Sequence, residues 1–86
     1  MNEARRKKLR ANIAANLKAV RFDDLIGLTE AYGYVCKAPR GGSSHYTCRK
    51  PGRSPIGIAK PRSKHVKITY VKIALSETED LENGNA

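Results

Sequence analysis

Between Gly33 and Pro61 the chain is interrupted too often to hold a helix. Pro39, Gly41, Gly42 and two serines form one break, "RKPGRSP" forms the second, and Pro61 closes the third. What lies between is short and β-prone: "YVCKA", "HYTCRK" and "IGIA". Three such runs divided by Gly- and Pro-bearing turns predict three strands, the first two joined as a hairpin with a longer loop. With that loop centred near Gly42, Cys36 and Cys48 lie roughly opposite each other. The spacing of Pro51, Pro55 and Pro61 makes the third strand brief or places it at an edge.

The flanks read differently. Leu9, Ile13, Leu17 and Val20 recur at helical spacing among Ala11, Ala14 and Ala15, which predicts an amphipathic helix from Arg5 to about Leu17. Its strongly basic start has the wrong sign for the helix dipole, so the end is frayed or kept basic for another purpose. "RFDDLIGLTEAYG" predicts a second helix. Asp23 or Asp24 caps or charges its first turn, and Gly33 supplies a left-handed stop. Phe22, Leu25, Leu28 or Thr29, and Tyr32 form its buried stripe. Gly27 costs the helix about 1 kcal/mol and marks close packing.

"HVKITYVKIALSETEDL" is ambiguous: Val66, Ile68 and Tyr70 alternate as in a strand, whereas Ile68, Val71, Ala74 and Leu75 fit a helix. Its length and its Ala-Leu-Ser-Glu continuation favour helix. The expected order is α-α-β-β-β-α, an α+β fold with a three-stranded antiparallel sheet and helices on one face. Eighty-six residues suffice for one small domain. Within it, residues 1–20 form a basic helical extension and 21–76 the folded domain. Residues 77–86 read as an acidic tail, with "ENGNA" disordered.

Charge narrows the function classes. Seventeen Lys and Arg against eight Asp and Glu give a net charge of +9. Four of those acids, Glu77, Glu79, Asp80 and Glu82, fall in the last ten residues. None lies between Gly33 and Ser76, where ten basic residues sit: Lys37, Arg40, Arg49, Lys50, Arg53, Lys60, Arg62, Lys64, Lys67 and Lys72. Solubility alone is served as well by mixed signs, so this block points to a polyanionic ligand. No apolar run reaches the roughly 20 residues that span a bilayer, and "ANIAANLKAV" is too polar for a signal peptide. The expectation is a cytoplasmic protein without membrane attachment, with Cys36 and Cys48 as reduced thiols in or near the core. A regulatory cross-strand disulfide is the alternative.

Within this acid-free stretch stands one histidine, His45. The residues alone leave open an incidental strand residue, a metal ligand or the working group of a nuclease. Cys36, His45, Cys48 and His65 lack the two close ligand pairs usual for zinc, and His45 and Cys48 diverge on a strand because they differ by an odd number. No metal or other cofactor is therefore expected. Cys36 has no Asp or Asn near it to orient an imidazole for thiol catalysis, and no phosphate loop or paired carboxylate is present. RNA cleavage needs less. A 2′-hydroxyl attacks the adjacent phosphate when its proton is taken or the leaving 5′-oxygen is protonated, and cations stabilise the developing charge. Histidine as a class exchanges protons near neutral pH without a metal. Gly41 and Gly42 give a phosphate backbone room to approach.

From Val20 to Leu75 the chain resembles the HicA family of bacterial toxins, small mRNA interferases of type II toxin–antitoxin systems. The elements that carry the likeness are Gly33-Tyr34, Gly42-Ser43-Ser44-His45, Pro61-Arg62, and Val66-Lys67 with Tyr70-Val71. The resemblance implies a fold like a double-stranded RNA-binding domain, α-β-β-β-α, here with an extra N-terminal helix. It also implies ribosome-independent cleavage of mRNA with His45 as catalyst, and a HicB-type antitoxin as partner. Many members carry a histidine directly after the Pro-Arg, whereas here Ser63 and Lys64 intervene. His65 is accordingly read as a surface residue or phosphate contact, not a second catalyst.

The expectation is a metal-independent endoribonuclease toxin. His45 serves as general acid or base, Gly42 and Ser43 shape the loop that admits RNA, and Arg49, Lys60 and Arg62 contact phosphates. Two rivals use the same basic surface: a non-catalytic RNA- or DNA-binding module, and a protein that binds an acidic partner.

Overall fold

The computed structural model describes residues 1–84. Among them the order is α1 (Glu3–Ala15), α2 (Phe22–Ala31), β1 (Val35–Lys37), β2 (His45–Arg49), β3 (Ile56–Ala59) and α3 (Ile68–Glu82). This is the expected α+β succession of three helices and three strands.

Helix α1 starts where the sequence offers a cap, the Asn2 Oδ1 accepting from the Arg5 amide at 2.8 Å. It ends at Ala15, before Leu17. Its misplaced cations have a structural use. Arg6 reaches Glu82 through Nε at 3.0 Å and Nη2 at 3.2 Å. Arg10 donates to the Tyr32 hydroxyl and to Thr78 Oγ1, both at 2.9 Å, and to the Leu75 carbonyl at 2.7 Å. The Tyr32 hydroxyl in turn donates to Glu82 at 2.8 Å. Ile13 enters the core. Helix α1 is thus fastened across α2 and α3 by charge-assisted bonds as well as by apolar contact.

In α2, Asp23 and Asp24 place negative charge in the first turn without capping it by a side-chain bond. Leu25, Leu28, Thr29 and Tyr32 are buried as expected, with Phe22 half-buried. Gly33, at φ 96°, stops the helix in the left-handed region. Gly27 departs from expectation: a Cβ there would meet nothing within 4 Å, so no close packing calls for glycine.

The sheet is antiparallel in the order β1-β2-β3. Strand alternation turns Cys48, Ile56 and Ile58, all at 0% exposure, toward the helices. There they meet Leu25, Leu28, Val71 and Ala74 in one core. The β3–α3 connection is pinned by buried Val66, whose amide donates to the Val20 carbonyl at 2.8 Å.

Two expectations are corrected. Cys36 and Cys48 pair in register as foreseen, but they form a disulfide rather than two reduced thiols. Their Cα atoms are only 3.9 Å apart, and both side chains point to the helix face. The acidic stretch from residue 77 is not a loose tail either. Helix α3 runs on to Glu82, with Thr78 buried and Asp80 and Glu82 held by Arg53 and Arg6. Two of the four acids there, Asp80 and Glu82, are intramolecular partners for cations. Of "ENGNA", Asn83 and Gly84 close the helix, while Asn85 and Ala86 lie outside the described residues. No helix among the described residues is long and apolar enough to cross a membrane.

Candidate functional site

His45 owes its position to strand parity and to a tied loop. Gly41, at φ 70°, makes the left-handed bend in the β1–β2 loop. Ser43 Oγ then accepts from the His45 amide at 3.2 Å, and the Ser44 carbonyl accepts from the Lys60 amide at 2.8 Å. These bonds join the loop to the end of β3 just where β2 begins. Cys48 and Tyr46 face the helices, so parity puts His45 on the other side of β2, exposed at the strand's first residue, where its ring still reaches the start of α3. Tyr46 packs edge-on to Phe22, ring centroids 4.9 Å apart, which fixes the parity of the strand. The His45 ring stands edge-to-face with Tyr70 at 6.4 Å. Its nitrogens make no hydrogen bond among the described residues, so both are available to a ligand.

A cleft of about 380 Å³ opens beside this ring. His45 lines it from β2, Lys60 and Arg62 from the end of β3 and the loop after it, His65 from the same loop, and Lys67 and Tyr70 from the start of α3. No carboxylate lines it. Three cationic side chains therefore share one cleft with two imidazoles, and the first turn of α3 brings the positive end of its dipole to the same place. Lys60 Nζ also lies 5.9 Å from the centre of the Phe22 ring, a cation–π contact that restrains the side chain. Such a cleft attracts an anion and offers it a proton donor or acceptor.

Of the residues expected to form the site, His45, Lys60 and Arg62 come together. Ser43 acts through the backbone of His45. Gly42 is exposed with open space around it and no positive φ, and the turn itself depends on Gly41. Arg49 is not in the cleft. It lies on the same sheet face as His45 but at the far end of β2, roughly 13 Å along at a strand's rise of about 3.3 Å per residue. There it lines a second groove with Val35, Lys37, Thr47, Lys50 and Arg53.

The structure also sorts the ten-cation block. Arg53 is held by Asp80, and Lys50 Nζ donates to the Tyr32 carbonyl. The other eight are exposed, and among the described residues none of them forms an ion pair. Lys60, Arg62 and Lys67 line the cleft, Lys37 and Arg49 lie on the open face of the sheet, and Arg40, Lys64 and Lys72 lie in the two loops and on α3.

Ser44, Lys67 and Tyr70 also line the cleft; they stand in the elements that carry the family resemblance, and Lys67 in the ten-cation block, but none was singled out as a site residue. Lys67 and Tyr70 are three residues apart and fall on one side of a helical turn, a signal that was available once the last segment was read as helix. His65, expected at the surface or on a phosphate, is half-buried in the cleft itself. A metal centre finds no ligand set: Cys48 is buried in the disulfide on the face opposite His45, and the described residues hold no group of three potential ligands.

No protein-family model, no curated protein and no solved structure matches this chain.

Proposed function

We propose that this chain is a metal-independent endoribonuclease, a toxin of the HicA kind that cleaves mRNA. One observation carries the reading: an exposed imidazole with both nitrogens unengaged stands in a cleft lined by Lys60, Arg62 and Lys67 and by no carboxylate. The scissile phosphate sits among these cations, which stabilise the negative charge building on its non-bridging oxygens. His45 moves a proton to or from the reacting oxygens. The remaining exposed cations, Arg49 among them, hold the phosphates of neighbouring nucleotides.

Two further features agree with this reading. The succession of α2, the three strands and α3 has the α-β-β-β-α order of a double-stranded RNA-binding domain, with α1 added. The Gly42-Ser43-Ser44-His45 element ends at the mouth of the cleft, as it must if the loop admits RNA. Such a toxin acts in the cytoplasm and is neutralised there by a HicB-type antitoxin.

The test is expression of the wild type and of His45→Ala, with growth and transcript lengths compared. Arrest with shortened messages for the wild type, and neither for the variant, supports the nuclease. Identical behaviour of the two proteins favours the non-catalytic nucleic-acid-binding module, a reading supported by the spread of exposed cations beyond the cleft. Failure of the purified chain to bind RNA at physiological salt leaves the acidic-protein ligand.

A further inference from the structure

Cleavage by a neighbouring 2′-hydroxyl involves two proton transfers. The 2′-oxygen loses its proton as the 2′-O–P bond forms, and the 5′-oxygen gains one as the P–O5′ bond breaks. The products are a 2′,3′-cyclic phosphate and a free 5′-hydroxyl. The two oxygens lie on opposite sides of phosphorus in an in-line displacement, so one imidazole cannot face both at once. The transfer that His45 does not reach falls to water or to a second group in the same cleft, and a positioned group is the faster of the two. Lysine ammonium groups and tyrosine hydroxyls ordinarily keep their protons at neutral pH, whereas imidazoles exchange theirs there.

We infer that His65 is the second proton-transfer group of the cleft, acting across the scissile phosphate from His45, an assignment that rests on the nuclease reading above. His65 and His45 line one cavity from two different elements. The peptide that follows His65 is held at both its carbonyl and its amide. Ser63 Oγ donates to its carbonyl at 3.4 Å, and the next residue, Val66, is buried with its amide bonded to Val20. Its ring makes no hydrogen bond among the described residues, so nothing structural accounts for an imidazole at this half-buried position. The charged and titratable groups around the pair are Lys60 and Arg62 after β3, Lys64 in the loop, Lys67 and Tyr70 on α3, and Arg21 and Asp23 at the start of α2 beside Lys60 and Lys64. During one turnover one imidazole receives the 2′-hydroxyl proton and the other, as imidazolium, gives its proton to the 5′-oxygen. No other reactant is required.

The test is cleavage of an RNA oligonucleotide by the purified full chain and by His65→Gln and His65→Arg, with rates followed across pH and affinity measured in parallel. The wild-type rate should be bell-shaped in pH. His65→Gln should lose one limb of the bell and slow cleavage by roughly 10²–10⁴-fold while RNA affinity and the urea midpoint stay within about twofold of wild type. His65→Arg should be as slow as His65→Gln, because charge alone does not transfer the proton. A wild-type rate in His65→Arg would make His65 a phosphate contact and overturn the inference, leaving the nuclease reading intact. Retention of rate and both limbs in His65→Gln does the same. A wild-type chain that cleaves nothing removes both.

Discussion

Arg53, in the turn between β2 and β3, grips Asp80 near the end of α3 with two parallel bonds, Nη1 to Oδ2 and Nη2 to Oδ1, each 2.7 Å long. Its remaining donors go to the Tyr34 hydroxyl and the Glu77 carbonyl, so one guanidinium joins the sheet to the last turns of the helix. The hydrogen bonds from Arg53 hold the Asp80 carboxyl below its ordinary range, against the opposing effect of burial. The bond from Arg6 does the same for Glu82. A carboxyl depressed in the folded state binds fewer protons there than when unfolded. Its contribution to stability is complete above the unfolded value, about 3.9 for Asp and 4.3 for Glu, and is lost as pH falls through the folded value. The urea midpoint should therefore fall steeply below about pH 4. Asp80→Asn should lower the midpoint at neutral pH and converge on the wild type under acid conditions. A gap that is equally wide at both pH values contradicts the role given to this pair.

On the nuclease reading, RNA meets two sets of exposed cations, those at the cleft and those along the sheet face. Each phosphate contact on a single strand contributes about 0.7 to the slope of log affinity against log salt. In a His45→Ala background, where the strand stays intact, Arg62→Ala and Lys60→Ala should each reduce that slope by about 0.7. Arg49→Ala should do so only for oligonucleotides long enough to reach from the cleft to the far end of β2. Titrations of short and long strands at several salt concentrations decide it. An equal effect of Arg49→Ala on the shortest bound strand would place the RNA elsewhere.

The strands, the pairing of Cys36 with Cys48 and the second helix were legible because local rules decide them: Gly33 must turn left-handed, and Pro39 to Pro61 leave room only for short strands. The third helix was legible to about Ser76; beyond it the sequence supported both a helix running on to Leu81 and an acidic tail. Whether Glu77 to Glu82 is helix or tail depends on partners 27 and 76 residues away, Arg53 and Arg6, and no local pattern encodes those pairings. The same holds for the site. His45 and the two cations after β3 stand out by type and position. That Tyr70, Lys67 and His65 complete the cleft follows only from where the β3–α3 loop returns, past Val20, to the start of β2. The expectation of reduced thiols at Cys36 and Cys48 failed for another reason. Their pairing is a matter of strand register, which the hairpin predicted, but their oxidation depends on the surroundings, which a sequence does not contain.

The disulfide joins β1 to β2 across the loop that carries Gly41 to Ser44, at a sequence separation of 12. Opening it releases a short edge strand of three residues. By chain entropy a loop of this size is worth on the order of 3 kcal/mol. Urea unfolding with and without a reducing agent should differ by about 2–4 kcal/mol, with β1 amides losing hydrogen-exchange protection first. With the bond reduced, the fold rests on its core and on the Arg6, Arg10 and Arg53 clamps. Identical midpoints in the two conditions would mean that the bond constrains nothing the sheet does not already hold.

Two glycines of the same helix region make opposite predictions. Gly27 sits inside α2, where a Cβ would meet nothing within 4 Å and where glycine carries an entropic penalty of about 0.5–1 kcal/mol relative to alanine. Gly27→Ala should stabilise the protein by about that amount. Gly33 ends the helix at φ 96°, and a Cβ there would stand 2.6 Å from Lys50 Nζ. That ammonium is the end of a flexible chain and can shift, but in shifting it loses its bond to the Tyr32 carbonyl. The left-handed backbone itself costs an alanine roughly 1–2 kcal/mol. Gly33→Ala should therefore destabilise by at least about 1 kcal/mol, and more than Lys50→Met, which removes the ammonium but leaves the backbone unstrained. Urea midpoints of the three variants test the ordering. If Gly33→Ala costs no more than Lys50→Met, the turn after α2 does not need its left-handed residue, and the path by which β1 enters the sheet is set by something else.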